Sequence, residues 1–127
     1  MENNKIIQWI LRISVAGEFI GHGVFSIQGK KEWVGWFAKF GVVDAGIATQ
    51  LLFLIGVIDI ALAILILIRP VRIALLYMVF WGFWTALLRP MVGMPIWDFI
   101  ERWANWGAPL ALLLLIGWPK ELKEWFK

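Results

Sequence analysis

The most constraining feature of this sequence is an apolar run from Ile47 to Ile68 in which Asp59 is the only charged side chain. As an α-helix rising about 1.5 Å per residue, the run extends roughly 33 Å, enough to cross the hydrocarbon core of a membrane. Three further apolar segments lie at about residues 5–26, 71–88 and 96–117. A backbone in lipid must satisfy its own hydrogen bonds, so such segments fold as helices. The sequence therefore predicts a single all-α domain over residues 1–127, built as a four-helix transmembrane bundle.

The composition indicates the same class of protein. Hydrophobic residues make up 61% of the chain, the mean hydropathy is +0.79, and there are 10 tryptophans but only 1 tyrosine. Tryptophan is typical of the membrane–water interface, where its large ring carries one polar N–H. The formal charge of +3 comes from residues clustered between the apolar runs, so we assign it to lipid headgroups and topology and not to nucleic acid. A soluble enzyme is excluded.

The chain has no cysteine and a single histidine, His22. Thiolate metal sites, iron–sulfur clusters and a haem with two histidine ligands are therefore excluded, and no metal site is predicted. No self-contained catalytic centre can be recognised, so the sequence leaves open whether the protein is an enzyme.

A short amphipathic helix is predicted at about residues 32–40, between the first and second spans. Trp33, Trp36, Phe37 and Phe40 follow the spacing i, i+3, i+4, i+7, which places them on one helix face. The segment is too short to cross a bilayer, so we expect it to lie in the membrane interface.

Three local features predict how the helices are arranged. Arg69-Pro70 ends the second span and leaves so short a connection that the second and third spans should be antiparallel neighbours. Gly17 and Gly21 form a small-residue pair that would let another helix of the fold approach closely. Pro109 removes a backbone N–H, so we expect the fourth helix to kink there.

The basic residues predict the orientation of the chain in the membrane. One side carries Lys5, Arg69, Arg72, Lys120, Lys123 and Lys127. The opposite side carries the smaller set Lys30, Lys31, Lys39 and Arg89. We therefore expect a multi-pass protein of the bacterial inner (plasma) membrane, with both termini in the cytoplasm. The first apolar segment is expected to be a retained helix and not a cleaved signal peptide.

Ionisable side chains inside the spans are the candidate functional groups, because such groups are costly in lipid and mark binding sites or pathways. Glu18 and Asp59 should lie near the midplane, and His22 shares a helix face with Glu18 because it follows four residues later. Arg89 belongs to the outer half. We predict a buried polar cluster of these four residues, with Arg12 either guarding its inner side or extending to the cytoplasmic interface.

The candidate site is wider than this cluster. The candidate ligand-binding or proton-relay residues are Glu18, His22, Asp59, Arg89, Glu101 and Asn105, and the candidate pocket wall is Tyr77, Trp81 and Trp84. The structural alternative is that the charged groups only fix the register between helices as buried ion pairs. Asp98 and Arg102, one turn apart on the predicted fourth helix, are expected to neutralise each other.

Three stretches together carry a resemblance to a known family. The first is Arg12 followed by Gly21-His22-Gly23 and Gly29-Lys30, and the second is Ile55-Gly-Val-Ile-Asp59-Ile-Ala-Leu-Ala. The third is Thr85-Ala-Leu-Leu-Arg89-Pro followed by Trp97-Asp-Phe-Ile-Glu-Arg102-Trp-Ala-Asn105-Trp-Gly-Ala-Pro109-Leu. With these stretches the chain resembles the DoxX-like family of small four-helix membrane proteins, which more often has glutamate at the Asp59 position. Members include a subunit of a thiosulfate:quinone oxidoreductase and partners of redox enzymes, so the resemblance implies a redox partner protein and a quinone.

The leading functional hypothesis is a membrane protein, surrounded by membrane lipids, that binds an amphiphile (a quinone or a lipid) in an outward-facing cavity. Glu18, His22 and Asp59 would hydrogen-bond the polar head, and Arg89 would offset the carboxylate charge. With a quinone, His22 and Glu18 would relay protons. One alternative is a transporter or exporter of a small ion or acid, which would act as a homo-oligomer because four helices make a thin pathway. The other alternative is a structural accessory membrane subunit.

Overall fold

The computed structural model describes residues 2–127, and within this range every regular element is a helix. The α-helices are α1 (Glu2–Ile27), α2 (Lys31–Lys39), α3 (Ala45–Ile68), α4 (Arg72–Met91), α5 (Ile96–Ile100) and α6 (Ala104–Ile116), and a 3₁₀ helix follows at Leu122–Phe126. Helices α1, α3 and α4 are long and apolar enough to cross a membrane. The prediction of an all-helical chain is confirmed.

The boundaries of the long helices differ from the predicted ones by only a few residues. The start of α3 shows why, since it begins at Ala45 and not at Ile47. Asp44 precedes it in an extended conformation, and its carboxylate accepts the backbone N–H groups of Gly46 at 2.8 Å and Ile47 at 3.2 Å. This side-chain cap satisfies donors that have no partner inside a first helical turn.

The predicted continuous helix over residues 96–117 is wrong, because α5 and α6 are separated at residues 101–103. Around this break the N–H groups of Arg102, Trp103 and Asn105 bond to carbonyls three residues earlier, which tightens the chain into a 3₁₀-like turn. The interruption thus precedes Pro109, where a kink was expected, and α6 continues through that proline. The turn lets α5 fold back against α4.

The helices pack in the order α3, α1, α6, α4. The buried core lies between them and consists of Val15, Ala16, Phe19, Ala63, Ile66, Leu75, Met78, Leu112 and Leu113. Although α3 and α4 are joined by a short connection, they make little direct contact, so the expectation that they pack as neighbours is wrong. Each packs chiefly against a different partner, α3 against α1 and α4 against α6, and a gap is left between them.

The close approach of α1 and α3 depends on Gly23 and Gly56. A Cβ at Gly23 would lie 2.7 Å from Cγ1 of Ile60, and one at Gly56 would lie 2.6 Å from the Gly23 carbonyl oxygen. The predicted packing pair Gly17 and Gly21 is exposed, and a Cβ at either would meet no side chain or neighbouring helix within 4 Å. That prediction is wrong because α1 turns a different small-residue position toward α3.

Helices α1, α2 and α4 close their own C-terminal ends with a glycine at positive φ. Gly29 after α1 and Gly93 after α4 have positive φ angles of 67° and 97°. The N–H groups of Gly29 and Lys30 bond back to carbonyls of the last turn of α1, and Gly93 and Met94 do the same for α4. This arrangement satisfies carbonyls that have no partner within a helix.

At α3 a proline replaces one of these donors, and an arginine from another helix takes its place. Pro70 follows the end of α3 and has no N–H. Arg12 of α1 instead donates from Nε to the Ile66 carbonyl at 2.9 Å and from Nη2 to the Leu67 carbonyl at 2.7 Å. Those are the two carbonyls that a terminal glycine motif would satisfy. Arg12 therefore neither guards the polar cluster nor extends to the interface, and it caps α3.

Arg72 of α4 supplies further donors at the end of α6, where the N–H of Gly117 already bonds back to the carbonyls of Leu113 and Leu114. It donates to the carbonyls of Ile116 at 2.8 Å and Gly117 at 2.6 Å, and it also holds the C-terminal residue through the Lys127 carbonyl at 3.1 Å. Within the tail, the N–H of Lys120 donates to the Glu124 carboxylate at 2.7 Å, and this hydrogen bond lowers the pKa of Glu124. The tail is thus held against the start of α4.

These contacts divide the molecule into two ends. The starts of α1 and α4, the ends of α3 and α6, and the tail lie together at one end. Helix α2 lies at the other end with the loop that follows α4, since Lys39 bonds to the Val92 carbonyl. The two sets of basic residues that predict the orientation lie at these two ends.

Replacing Arg12 is expected to destabilise the fold. In Arg12→Met the carbonyls of Ile66 and Leu67 lose their side-chain donors, at a cost of about 1–3 kcal/mol for each unsatisfied buried group. Thermal unfolding in detergent measures the loss. The matched control is Lys5→Met, which removes an exposed cation from the same helix and should leave the unfolding temperature unchanged.

A double-mutant cycle tests whether Arg12 compensates for Pro70. Pro70→Gly restores a backbone N–H, so Arg12→Met should cost less free energy in that background than in the wild type. An equal cost in both backgrounds would contradict this account of the α3 terminus.

Cysteine labelling can test the orientation, because the natural chain has no cysteine. Lys31→Cys should react with a membrane-impermeant maleimide in intact cells, and Lys123→Cys should react only after lysis. Both positions are exposed, so access to the reagent is the only variable. The opposite labelling pattern would rule out cytoplasmic termini.

Candidate functional site

A cavity of about 320 Å³ lies in the gap between α3 and α4, and its walls come from α1, α2, α3 and α4. The residues that line it are His22, Ser26, Trp33, Trp36, Phe37, Phe40, Val42, Leu52, Ile55, Asp59, Trp81, Trp84, Thr85, Leu88 and Arg89. Most of these side chains are aromatic or aliphatic, with a few polar groups among them. This composition is typical of small-molecule binding sites.

Two charged residues of the cavity wall are almost completely buried. Asp59 is 2% exposed and Arg89 is 5% exposed. Asp59 Oδ1 and Arg89 Nε have no hydrogen-bond partner among residues 2–127, and neither residue takes part in a salt bridge in that range. Arg89 bonds from Nη1 to the Thr85 carbonyl on its own helix. Unpaired polar atoms in an apolar environment are costly, so these two define the polar part of the cavity.

A third unpaired atom belongs to α2. The indole Nε1 of Trp33 is buried and, over the described part of the chain, has no acceptor. The Trp33 ring meets the imidazole of His22 edge-on at 5.9 Å. Ser26, the other polar residue of α1 here, already donates its hydroxyl to the Leu52 carbonyl. His22 is therefore the polar side chain that α1 contributes to the cavity.

Helix α2 is held against the cavity by contacts along its length. The guanidinium of Arg89 lies 5.0 Å from the centre of the Trp36 ring, in a cation–π contact. At the end of α2, Lys39 Nζ donates to the carbonyl of Val92, the residue that caps α4. These contacts keep the aromatic face of α2 over the cavity.

The α2 aromatic residues are the part of the site that the sequence reasoning missed. Trp33, Trp36, Phe37 and Phe40 were assigned to the membrane interface, and all four line the cavity. Their spacing predicts an apolar face correctly, but the same spacing serves lipid and a protein cavity equally well. Tryptophan at two of the four positions is compatible with either, so no signal in the sequence separates the two roles.

Five of the candidate residues come together. His22, Asp59, Arg89, Trp81 and Trp84 all line the cavity. Tyr77 does not line it, and its ring stacks on that of Trp81 at 6.1 Å.

The three other candidates lie outside the cavity lining. Glu18 is half-buried on α1, one turn before His22. Glu101 is exposed and forms a salt bridge with Arg102 at 2.7 Å. Asn105 lies where α6 approaches α4. A Cβ on Gly82 of α4 would overlap the backbone carbonyl oxygen of Asn105.

The expected pair of Asp98 and Arg102 also differs from the structure. Arg102 Nη1 donates to the backbone carbonyl of Asp98 at 2.9 Å, and the carboxylate that it contacts is that of Glu101. The 3₁₀-like turn at residues 101–103 explains this, because it rotates Arg102 away from the α-helical position in which the two side chains would meet.

Comparisons of the chain with protein-family models, curated proteins and solved structures found no match. The residues 2–127 hold no group of three or more histidine, aspartate or glutamate side chains that could bind a metal ion. The function must therefore be inferred from the geometry of the cavity.

Removing the bond from Lys39 to the loop after α4 is expected to increase the mobility of α2. In Lys39→Met the hydrogen bond to the Val92 carbonyl is lost, and a bond to a charged group contributes about 1.5–3 kcal/mol. Deuterium uptake by peptides covering residues 31–40 should become about tenfold faster. The matched control is Lys31→Met, which removes a cation that makes no such bond and should leave deuterium uptake unchanged. Equal uptake in the two variants would show that Lys39 does not hold α2.

Proposed function

We propose that this chain is an integral membrane protein whose four-helix bundle consists of α1, α3, α4 and the α5–α6 pair, and that it binds an amphiphile in the cavity. The ligand is a quinone or a lipid. The observation that carries the proposal is the presence of buried, unpaired polar atoms of Asp59 and Arg89 at a cavity with otherwise mostly apolar walls. A ligand with a polar head and an apolar body would satisfy both parts of this surface.

The free energy of the unpaired atoms supports binding over a purely structural role. A structural ion pair would join Asp59 to Arg89, yet neither forms a salt bridge with any residue of the described range. Each unsatisfied buried group costs about 1–3 kcal/mol, a cost that a ligand head would remove. His22 supplies a further donor or acceptor at the same cavity.

The position of the fourth element supports the bundle. Helix α6 is antiparallel to α4, because Arg72 at the start of α4 bonds to Ile116 and Gly117 at the end of α6. Its 13 residues reach only about 20 Å, and α5 adds the remaining length on the side of α2. In this proposal both termini face the cytoplasm.

The resemblance to DoxX-like proteins supports the same assignment. In such a setting the chain would bind a quinone beside a redox partner protein, because its own residues contain no thiol for redox chemistry. His22 would then exchange protons with the bound head.

Two observations favour a transporter or exporter as the second candidate. Glu18 is half-buried one helical turn before His22, which would extend a polar path into the bundle. The exposed Gly17 and Gly21 would let a second copy approach closely. Flux of a small acid or of protons into proteoliposomes, lost in Asp59→Asn, would favour this candidate over ligand storage.

Native mass spectrometry of the detergent-purified protein, followed by organic extraction, tests the main proposal. We expect one amphiphile for each chain. Asp59→Leu should reduce its occupancy about tenfold or more, because the head loses its hydrogen bond. The matched control is Glu121→Gln, which changes an exposed carboxylate in the tail. A wild-type chain that carries no amphiphile and binds none in titration would refute the proposal and favour an accessory subunit.

A further inference from the structure

The unpaired atoms of the cavity are of two kinds and come from three different helices. Asp59 Oδ1 on α3 is an acceptor, whereas Arg89 Nε on α4 and Trp33 Nε1 on α2 are donors. Asp59 and Arg89 are both at least nine-tenths buried. A ligand head that carries only acceptors leaves Asp59 Oδ1 without a partner, and a head that carries only donors leaves Arg89 Nε and Trp33 Nε1 without one.

We infer that the ligand is an uncharged phenolic amphiphile, whose aromatic head donates a hydroxyl to Asp59 and presents an acceptor to Arg89 and Trp33. This inference rests on the proposed function and specifies the class of its ligand. Hydroquinones, the reduced form of the quinones named in the proposed function, belong to this class, whereas the oxidised form lacks the hydroxyl donor.

The charges of the cavity argue against an ionic head. Asp59 and Arg89 are ionisable groups of opposite sign, so when both are ionised they add no net charge to the cavity wall. A cationic or anionic ligand would therefore bring an unbalanced charge against walls that are mostly apolar, where such a charge is strongly disfavoured. Within the cavity lining these are the only carboxylate and the only guanidinium.

The shape of the cavity argues for an aromatic ring. Trp33 and Trp36 of α2 and Trp81 and Trp84 of α4 all line the cavity, and an aromatic ring packs against such side chains by stacking or edge contacts. The volume of about 320 Å³ is near the lower limit of ligand sites, so it suits one ring better than the head of a two-chain lipid.

Four probes that share a heptyl tail test the inference on the full chain in nanodiscs. They are heptyl 4-hydroxybenzoate, heptyl 4-methoxybenzoate, heptyltrimethylammonium and heptyl sulfate. Equilibrium dialysis measures binding, and empty nanodiscs of the same lipid correct for partitioning. The hydroxybenzoate should bind at least about tenfold more tightly than the methyl ether, which has the same ring and acceptor but no O–H. It should exceed both charged probes by a similar factor.

Variants of Asp59 assign the preference to its carboxyl group. Asp59→Leu should abolish the advantage of the hydroxybenzoate over its methyl ether. Asp59→Asn, which retains a carbonyl acceptor at the same position, should keep most of it. Unfolding temperatures of both variants show whether the fold is retained. If Asp59→Leu is unstable, the preference for the hydroxybenzoate over its methyl ether is tested in Asp59→Asn alone, where loss of the preference would contradict the inference.

The possible outcomes separate this inference from the proposed function. Equal binding of the phenol and the ether, or tighter binding of a charged probe, overturns the phenolic class and leaves amphiphile binding intact. Absence of binding by all four probes, with no amphiphile in the native mass spectrum, overturns both. A selective loss in Asp59→Leu with retention in Asp59→Asn supports both.

Discussion

The carbonyl groups at the ends of the helices impose the constraint on which this structure depends. Where these carbonyls are buried between helices they cannot bond to water, so each needs a donor from the protein. At α3, where proline removes a backbone donor, Arg12 of α1 supplies it, and at α6 Arg72 of α4 adds bonds to the last carbonyls. Lys39 adds a third contact of this kind at α4. Each bond ties two helices together, so satisfying a helix end also fixes the arrangement of the bundle.

The cavity holds three of the four buried side-chain polar atoms that have no hydrogen-bond partner within residues 2–127, the fourth being Nε1 of Trp106 on α6. Helices α3 and α4 are consecutive but pack against different partners, and the gap between them is lined by polar atoms that residues 2–127 leave unpaired. Asp59 and Arg89 both line this cavity, and yet they form no salt bridge with each other. Exceptions of this kind in an otherwise consistent structure are expected at functional sites.

The predictions from the sequence differ in quality according to the physics behind them. The span at 47–68 was located to within two residues, because its length and apolarity are properties of the segment alone. Asp59 and Arg89 could be singled out because a charge in a span is conspicuous. Glu18 was grouped with them by depth, but depth does not determine the direction in which a side chain points. The expected packing of Gly17 and Gly21 failed for the same reason, since it required knowledge of the rotation of α1.

The sequence by itself determined that the chain is helical, which segments are apolar enough to enter a membrane and which residue types are present for chemistry. These depend on local composition, because each residue contributes its own transfer free energy and each span must satisfy its own backbone. Only the tertiary structure decided that the aromatic face of α2 covers a cavity, that Arg12 caps α3 and that Asp59 and Arg89 face the same space. Those facts depend on how each helix is rotated and which neighbour it packs against, and contacts between distant segments, not the composition of any one of them, fix both.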